Sequence, residues 1–304
     1  MELEGVIVGD YFLLERLARE GSVELYRARP ITRGGYDVLM RLFKPPFPDA
    51  MAFREHFQAE VEKVWRCQHP HILPLLEFGS GDDLLYAITA LPAVPTLEQT
   101  LRKQPYSQFS LSLIEKIMLQ LCSALQYAHE RHIVHGNIQP SSMYFGDDGE
   151  ILLSNFSMQS PYCTGQTLMT HIGEGNIYYM APEQGFGIHS RACDIYALGV
   201  LCYRLLTGEL PYDGETAEEI MVRHTGDALP SLQERRPDLP SLVGRVIHCA
   251  LAKLPEQRFP YVEEFALALH TAFSSSEVMG QEERRHIAVH AHRTPALWPS
   301  VALF

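Results

Sequence analysis

Short runs of alternating apolar and polar residues fill the first third of the chain, and one helical period interrupts them. The runs at 24–28 and 37–43 show the period of two that is typical of half-buried strands. Between 53 and 67, apolar residues such as Phe57 and Val61 recur at helical spacing, and the charged residues fall on the other faces. The pattern predicts a small antiparallel sheet with one long helix packed against it.

Helical periods dominate the chain from residue 110 onward. The apolar spacing predicts helices at 111–132, 194–207, 217–224, 241–254 and 262–273. Two prolines between residues 91 and 96 favour an extended connector between the β-rich part and the α-rich part. No sustained period follows until an apolar ending, so we interpret 274–304 as a tail or docking segment with Trp298 as its natural anchor.

The composition is that of a soluble globular protein, because 46% of the 304 residues are apolar and 20% are charged. A formal net charge of −12 without a Lys/Arg run argues against nucleic-acid binding. The N-terminal residues lack the basic and apolar regions of a signal peptide, and no apolar run is long enough for a membrane helix. We therefore expect no nucleic-acid partner and no membrane span.

Residues that commonly bind metals are scattered along this sequence. The six cysteines form no C-x-x-C pair, which indicates neither a zinc site nor a redox site and favours a reducing cytoplasm. His286, His290 and His292 have no cysteine near them, so a solvated tail is preferred to a metal site. Asp147 and Asp148 lie in a Gly-Asp-Asp-Gly run that is more typical of a hairpin turn than of a metal site. We expect no bound metal.

Four sequence segments carry the strongest functional signal. They are IVHGNIQPSSMYFGDDGEILLSNFS (133–157), GNIYYMAPEQ (175–184), DIYALGVLCYRLLTGELPY (194–212) and LPEQRF (254–259). In this order and spacing they resemble the bacterial serine/threonine protein kinases of the Hanks type, and the resemblance covers about residues 11–273.

The resemblance implies an α+β, bilobal protein-kinase-like fold. The small β-rich N-lobe with one long helix would span 11–91, and the larger α-helical C-lobe would span 97–273. Residues 1–10 would then form an N-terminal extension and residues 274–304 a C-terminal tail. Residues with structural roles in the family are present, namely His135, Phe156, Glu183, Asp194 and Arg258. The resemblance implies that Asp194 anchors the catalytic loop and that Glu183 pairs with Arg258.

The family's reactive positions are substituted in this chain. The family pattern H-R-D-x-K-P-x-N, followed by D-F-G, supplies a proton acceptor, a phosphate-binding cation and metal ligands. Those positions here carry Gly136, Asn137, Gln139, Ser142, Asn155 and Ser157. An amide is not basic near neutral pH, and neutral oxygens are poor ligands for magnesium. The resemblance therefore implies that base, cation and metal ligands are all lost.

The nucleotide-pocket positions that the resemblance assigns are also altered. The three glycines of the phosphate loop are replaced by Ala18, Glu20 and Val23, so close backbone approach to phosphate is disfavoured. Leu39 and Tyr144 would narrow the adenine pocket. The connector places Thr89 at the gatekeeper position and Pro92 where a backbone N–H would bond adenine, and proline has no such group.

An arginine occupies the position of the family's nucleotide lysine. Arg41 stands at that position, and Glu60 stands where the helix glutamate of the family would lie. An ion pair between the two remains open, and a structural salt bridge is preferred to a role in phosphate binding.

We expect from these losses a catalytically inactive pseudokinase, not an enzyme, which acts as a scaffold or an allosteric regulator in bacterial signalling. It would hold no cofactor, would not bind ATP and magnesium in the usual mode, and would bind a protein partner such as an active kinase or another effector. The alternative is a non-standard transferase or a metal-independent nucleotide-binding sensor on the same fold, because a fold does not fix a function.

Overall fold

The structure is a computed structural model that describes residues 3–20, 23–32, 35–44, 50–81, 84–103, 109–156 and 176–275. The predicted tail, with its histidines and Trp298, lies outside the described residues beyond position 275, as does Ser157. Cys163 and the rest of the segment 157–175 lie outside them as well.

Six antiparallel strands form the sheet of the small lobe. They are β1 Ile7–Val8, β2 Tyr11–Glu20, β3 Val23–Pro30, β4 Val38–Phe43, β5 Leu75–Gly81 and β6 Leu84–Ala90, in the order β1-β2-β3-β4-β6-β5. Apolar side chains on one face, such as Tyr26, Met40 and Ile88, are fully buried. The predicted alternation appears in β3, where buried and half-buried residues alternate from Leu25 to Ala28, whereas every residue of β4 is buried.

The first strand of the sheet lies within residues 1–10, the predicted N-terminal extension. Ile7 pairs with Phe12, Val8 pairs with Tyr11, and the Val8 side chain is buried in the core of the sheet. A strand of two residues is too short to show a period in the sequence, and its apolar side chain gains free energy by burial. The small lobe therefore includes these residues.

One long helix, α1 Ala50–Trp65, packs on the sheet through its apolar stripe. Phe57, Val61 and Val64 are buried, which confirms the predicted face. At the end of α1, Trp65 lies edge-on to Phe78 of β5 with ring centroids 6.0 Å apart. The helix is fixed to the sheet at both its middle and its last turn.

Helices make up most of the large lobe. They are α2 Leu97–Lys103, α3 Leu111–His129, α4 Arg191–Thr207, α5 Ala217–Gly226, α6 Leu232–Arg235, α7 Ser241–Ala250 and a final helix α8 over 262–275. Helix α4 is buried on almost every side, and α3 and α7 pack against it. Among the described residues, no helix is long and apolar enough to cross a membrane.

A two-stranded ribbon links the lobes beside the predicted catalytic loop. Strands β7 Met143–Phe145 and β8 Ile151–Leu153 pair antiparallel, and Asp147 and Asp148 form their turn, which confirms the hairpin interpretation. Leu153 also exchanges backbone hydrogen bonds with the segment before β5, accepting from Leu73 and donating to His71 at 2.8 Å each. The bilobal α+β fold predicted from the sequence is confirmed.

Candidate functional site

The predicted catalytic loop, which joins α3 to β7, is held in place by a buried carboxylate in the first turn of α4. Asp194 Oδ2 accepts a hydrogen bond from the His135 amide at 2.9 Å, and Oδ1 accepts one from the Gly136 amide at 2.8 Å. His129 Nε2 lies 2.8 Å from Oδ2. A carboxylate that accepts several N–H groups fixes the backbone that carries them. The anchoring role expected for Asp194 is confirmed.

His135 is fully buried in this loop and is held as a neutral ring. Its Nδ1 accepts from the Asn137 amide at 3.2 Å, and its Nε2 lies 2.8 Å from the Ser154 carbonyl oxygen, to which it must donate. Because an amide can only donate and a carbonyl can only accept, both ring nitrogens are satisfied in one neutral tautomer. Burial lowers the pKa of His135 to about 4.

The three substituted positions of the loop are joined to one another by hydrogen bonds. Gln139 Nε2 donates to Asn137 Oδ1 at 3.0 Å, and Ser142 Oγ donates to the Asn137 carbonyl at 2.7 Å. The Ser142 carbonyl in turn accepts from Ser154, both from its amide at 2.7 Å and from its Oγ at 2.9 Å. All four residues are buried. These bonds give each of the four buried residues at least one hydrogen-bond partner inside the loop, as buried polar groups require.

Gly136 occupies a left-handed conformation in the loop, with a φ of 69°. A side chain is strained there, so Gly136→Ala is expected to lower the free energy of unfolding by about 1 kcal/mol. Gly226 at the end of α5 is the matched control, because a Cβ there meets nothing within 4 Å and its φ is ordinary. Urea unfolding of both variants checks this; equal midpoints would contradict it.

The metal-ligand positions do not fit magnesium. Ser142 is fully buried, and its hydroxyl already donates within the loop. Asn155, half-buried with a φ of 60°, offers a neutral amide where a hard anionic oxygen is needed. No group of three or more His, Cys, Asp or Glu side chains that could hold a metal occurs in the part of the chain that the structure describes.

Arg41 and Glu60 each have a partner other than the one considered from the sequence. Arg41 on β4 is buried, and its Nη1 donates to the Phe156 carbonyl at 3.1 Å. Glu60 on α1 pairs with Lys63, one helical turn away, at 2.6 Å. Between these two described side chains no ion pair forms. The sequence left that pair open because side-chain direction on a helix depends on packing as well as spacing.

The remaining predicted nucleotide-pocket positions lie on β4, on β6, in the connector and on β7. Leu39 is buried on β4 and pairs with Thr89 of β6, at the end of which the connector begins. Pro92 follows in that connector and is half-buried, and Tyr144 on β7 bridges to Thr96 across the connector. The structure thus pairs Leu39 with Thr89 and places Tyr144 beside the end of the connector. Their roles stay predictions.

The phosphate-loop positions lie in the β2–β3 hairpin. Ala18 pairs with Leu25, and the backbone of Glu20 pairs with that of Val23. The Val23 side chain is 6% exposed and belongs to the main apolar cluster. This position therefore contributes to the core, which a glycine could not do.

A buried ion pair in the large lobe joins the segment 175–184 to the segment 254–259. Arg258 donates to Glu183 through Nη1 at 2.6 Å and Nη2 at 2.8 Å, which confirms the pairing expected from the resemblance. Two further side-chain hydrogen bonds were not predicted from the sequence. Cys193 Sγ donates to Glu183 at 3.3 Å, and Gln184 Nε2 donates to the Gly136 carbonyl at 3.2 Å. Neither residue type carries a spacing signal for such a role.

Known proteins share this architecture. The protein kinase domain family matches residues 46–266. The chain is 28% identical to the serine/threonine-protein kinase PrkC of Bacillus subtilis and 30% identical to the serine/threonine-protein kinase PknE of Mycobacterium tuberculosis, over 90% of its length in each case. It spans less than half of these relatives, 42% of PrkC and 48% of PknE. The crystal structure of the M. tuberculosis PknI kinase domain matches with a TM-score of 0.70 at 26% identity, covering 89% of this chain and 98% of that domain.

These similarities correct the expectation that the chain is not an enzyme. Relatives that match most of the chain are named serine/threonine-protein kinases, and the fold matches a kinase domain. The comparisons point to an enzyme. The expectation was wrong because it extended the chemistry of a few substituted positions to the whole chain, whereas the similarity extends over both lobes.

Proposed function

The chain belongs to the protein kinase domain family, and on that premise we propose that it acts in signalling by binding a protein partner, as a scaffold or an allosteric regulator. We further propose that it does not bind ATP and magnesium in the family's usual mode. The partner class that fits best is an active kinase or another signalling effector. The relatives named above are serine/threonine-protein kinases, which is why a kinase is named as a partner class.

The hydrogen-bonded, uncharged set of side chains in the catalytic loop carries the proposal. Asn137, Gln139 and Ser142 are buried, uncharged and hydrogen-bonded to one another. Magnesium–nucleotide binding in the usual mode needs anionic oxygens and a cation near the transferred phosphoryl group. Three uncharged side chains that bond to one another give neither. Any phosphoryl transfer on this chain would have to use other groups.

The cleft walls support the same proposal from a second direction. Arg41, at the position of the nucleotide lysine, is engaged with the backbone of Phe156. At Pro92, the connector lacks the N–H that would bond the adenine ring. Contacts that would bind ATP in the usual mode are thus missing both where its phosphates and where its adenine ring would lie. A protein partner then becomes the ligand class that the family fold still accommodates.

A nucleotide titration tests this proposal. We expect millimolar ATP with magnesium to shift the melting temperature of the chain by less than about 1 °C, whereas saturation of a usual site adds about 3 kcal/mol and several degrees. Asn155→Asp is the matched control, because it restores a metal-ligand carboxylate without changing side-chain size. A magnesium-dependent rise of several degrees in the unchanged chain would contradict the proposal.

A second candidate is a transferase that works through a non-standard set of groups. The named kinase relatives favour it, and so does the catalytic-loop backbone that Asp194 holds in place. Incubation with labelled ATP, followed by mass spectrometry of protein and nucleotide, tests this candidate. Label on protein at a rate proportional to chain concentration would establish the transferase. Absence of both label and nucleotide turnover would end it.

The partner half of the proposal needs its own experiment. Affinity capture with the full chain, compared with a chain that ends at residue 275, would identify partners and assign them to the domain or to the tail. Retention of a stoichiometric partner by both forms supports the domain as the binding surface. A partner lost with residues 276–304 supports the docking role proposed for the tail. Capture of no stoichiometric partner by either form would count against the proposal.

A further inference from the structure

A groove of about 660 Å³ lies on the large lobe, away from the cleft between the lobes. Helix α7 forms one wall, and the segment 229–233, which includes the start of α6, forms the other. Gln257 lies in the lining as well. Grooves of roughly 300–1,000 Å³ are the size that small ligands and short peptide segments occupy.

Helix α7 presents a polar stripe to this groove. Ser241, Arg245 and His248 recur at helical spacing along the lining. The opposite side of the same helix buries Val243 and Ile247 in the core. The apolar side fixes the helix, so the groove-lining side chains project from a rigid element.

The second wall approaches α7 closely because of a glycine. A Cβ built on Gly244 would lie 2.9 Å from Gln233 Oε1. Gln233 is itself held in place, because its Nε2 donates to the Leu239 carbonyl. The hydroxyl of Ser231 caps α6 by accepting from the Glu234 amide, which leaves its proton available to a ligand. The shape of the groove is thus set before any ligand arrives.

The charge of the lining is opposite to that of the chain. The formal net charge of the chain is −12, yet none of the twelve residues that line the groove is Asp or Glu. Arg245 is exposed and makes no ion pair with any residue that the structure describes. Most of the arginines that the structure describes do pair with a carboxylate, for example Arg223 with Glu219 and Arg236 with Asp238. An unpaired guanidinium in a groove without carboxylates favours an anionic ligand.

We propose that this groove binds an oxyanion, the carboxylate or phosphate group of a ligand. The Arg245 guanidinium makes the main contact, and His248 and the hydroxyls of Ser231 and Ser241 stand beside it as further donors. Guanidinium groups bind both kinds of oxyanion through paired N–H donors, so the chemistry is shared. This site is separate from the cleft and does not depend on the function proposed above.

Calorimetric titration of the full chain at fixed ionic strength tests the proposal with three probes. Inorganic phosphate tests a phosphate ligand, triglutamate tests a carboxylate ligand, and triglutamine is the uncharged control of triglutamate. We expect saturable binding of at least one of the two anions and none of triglutamine. Which anion binds identifies the source of the oxyanion.

Two charge-matched variants locate the binding. Arg245→Gln is expected to weaken binding about tenfold, the usual size of one lost charge-assisted hydrogen bond. Arg102→Gln on α2 removes the same charge at a distant exposed position and is expected to leave binding unchanged. Saturable binding by neither anion would overturn the proposal, and so would equal affinity in the chain and in Arg245→Gln.

Cys249 supplies a second measurement at the same place. It lines the groove and is half-buried, whereas the other described cysteines are buried. A bound anion beside Arg245 is expected to slow alkylation of Cys249 by iodoacetamide, and peptide mapping would read this directly. Protection that persists unchanged in Arg245→Gln would place the anion elsewhere and contradict the proposal.

Discussion

A Glu183→Ala variant is expected to lose about 3–5 kcal/mol of unfolding free energy, because it leaves the Arg258 guanidinium charged and unpaired in the core. The Arg258 side chain is 0% exposed, and that of Glu183 is 8% exposed. Arg258 also donates to three carbonyl groups, including those of Ala192 and Lys253. Those bonds hold the guanidinium in place, so it cannot reach solvent when its partner is removed.

Urea unfolding at neutral pH measures the loss. Glu60→Ala is the matched control, because it also removes a carboxylate from an ion pair, but from one on the helix surface with Lys63. Such a pair contributes about 0.3–0.5 kcal/mol. A Glu183→Leu/Arg258→Met double variant removes both charges and is expected to be more stable than Glu183→Leu alone. Similar losses in Glu183→Ala and Glu60→Ala would contradict the prediction.

Mild acid is expected to destabilise the chain by about 4 kcal/mol between pH 8 and about pH 5, through two buried neutral histidines. Burial lowers the pKa of His135 to about 4 and that of His224 to about 3, and the charge of Lys253 adds to the shift at His224. Unfolded histidine titrates near 6.5. Below that pH the unfolded state binds protons that the folded state does not bind, so the free energy of unfolding falls as the pH falls. Each ring contributes about 2 kcal/mol at pH 5.

The structure explains why neither ring accepts a proton easily. His135 Nδ1 must accept from the Asn137 amide, so a proton there breaks a bond in the catalytic loop. His224 is 0% exposed, and its Nδ1 lies 2.8 Å from the Tyr196 hydroxyl. Unfolding free energies at pH 8 and pH 5 check the prediction. His224→Gln is expected to keep about half of the dependence, and a pH-independent stability of the unchanged chain would contradict the prediction.

Elements with a periodic apolar pattern were predictable from the sequence, because the regular backbone geometry of a helix or a strand fixes the spacing of its buried residues. Helix α1 follows from the spacing of Phe57, Val61 and Val64, although it ends two residues before the predicted limit. The β7–β8 turn follows from the chemistry of its Gly-Asp-Asp-Gly run. Strand β1 was missed because two residues show no period.

Partners of individual side chains were less predictable, because they depend on how separate elements pack. The order of motifs placed Arg41 and Glu60 on facing elements, but packing gave each another partner. The mutual bonding of Asn137, Gln139 and Ser142 depends on the turn after the loop and has no spacing signature. The groove beside α7 depends on how closely Gln233 approaches Gly244 in the folded chain, and a single sequence does not show such a distance.

The edge-on contact of Trp65 with Phe78 gives the small lobe a spectroscopic reporter of its own. The chain has two tryptophans, and the other is Trp298. A Trp298→Phe variant would leave the indole at the junction of α1 and β5 as the sole source of tryptophan emission. Its wavelength and quenching would then register any displacement of α1 from the sheet, without an attached dye, while a partner or an anion is added.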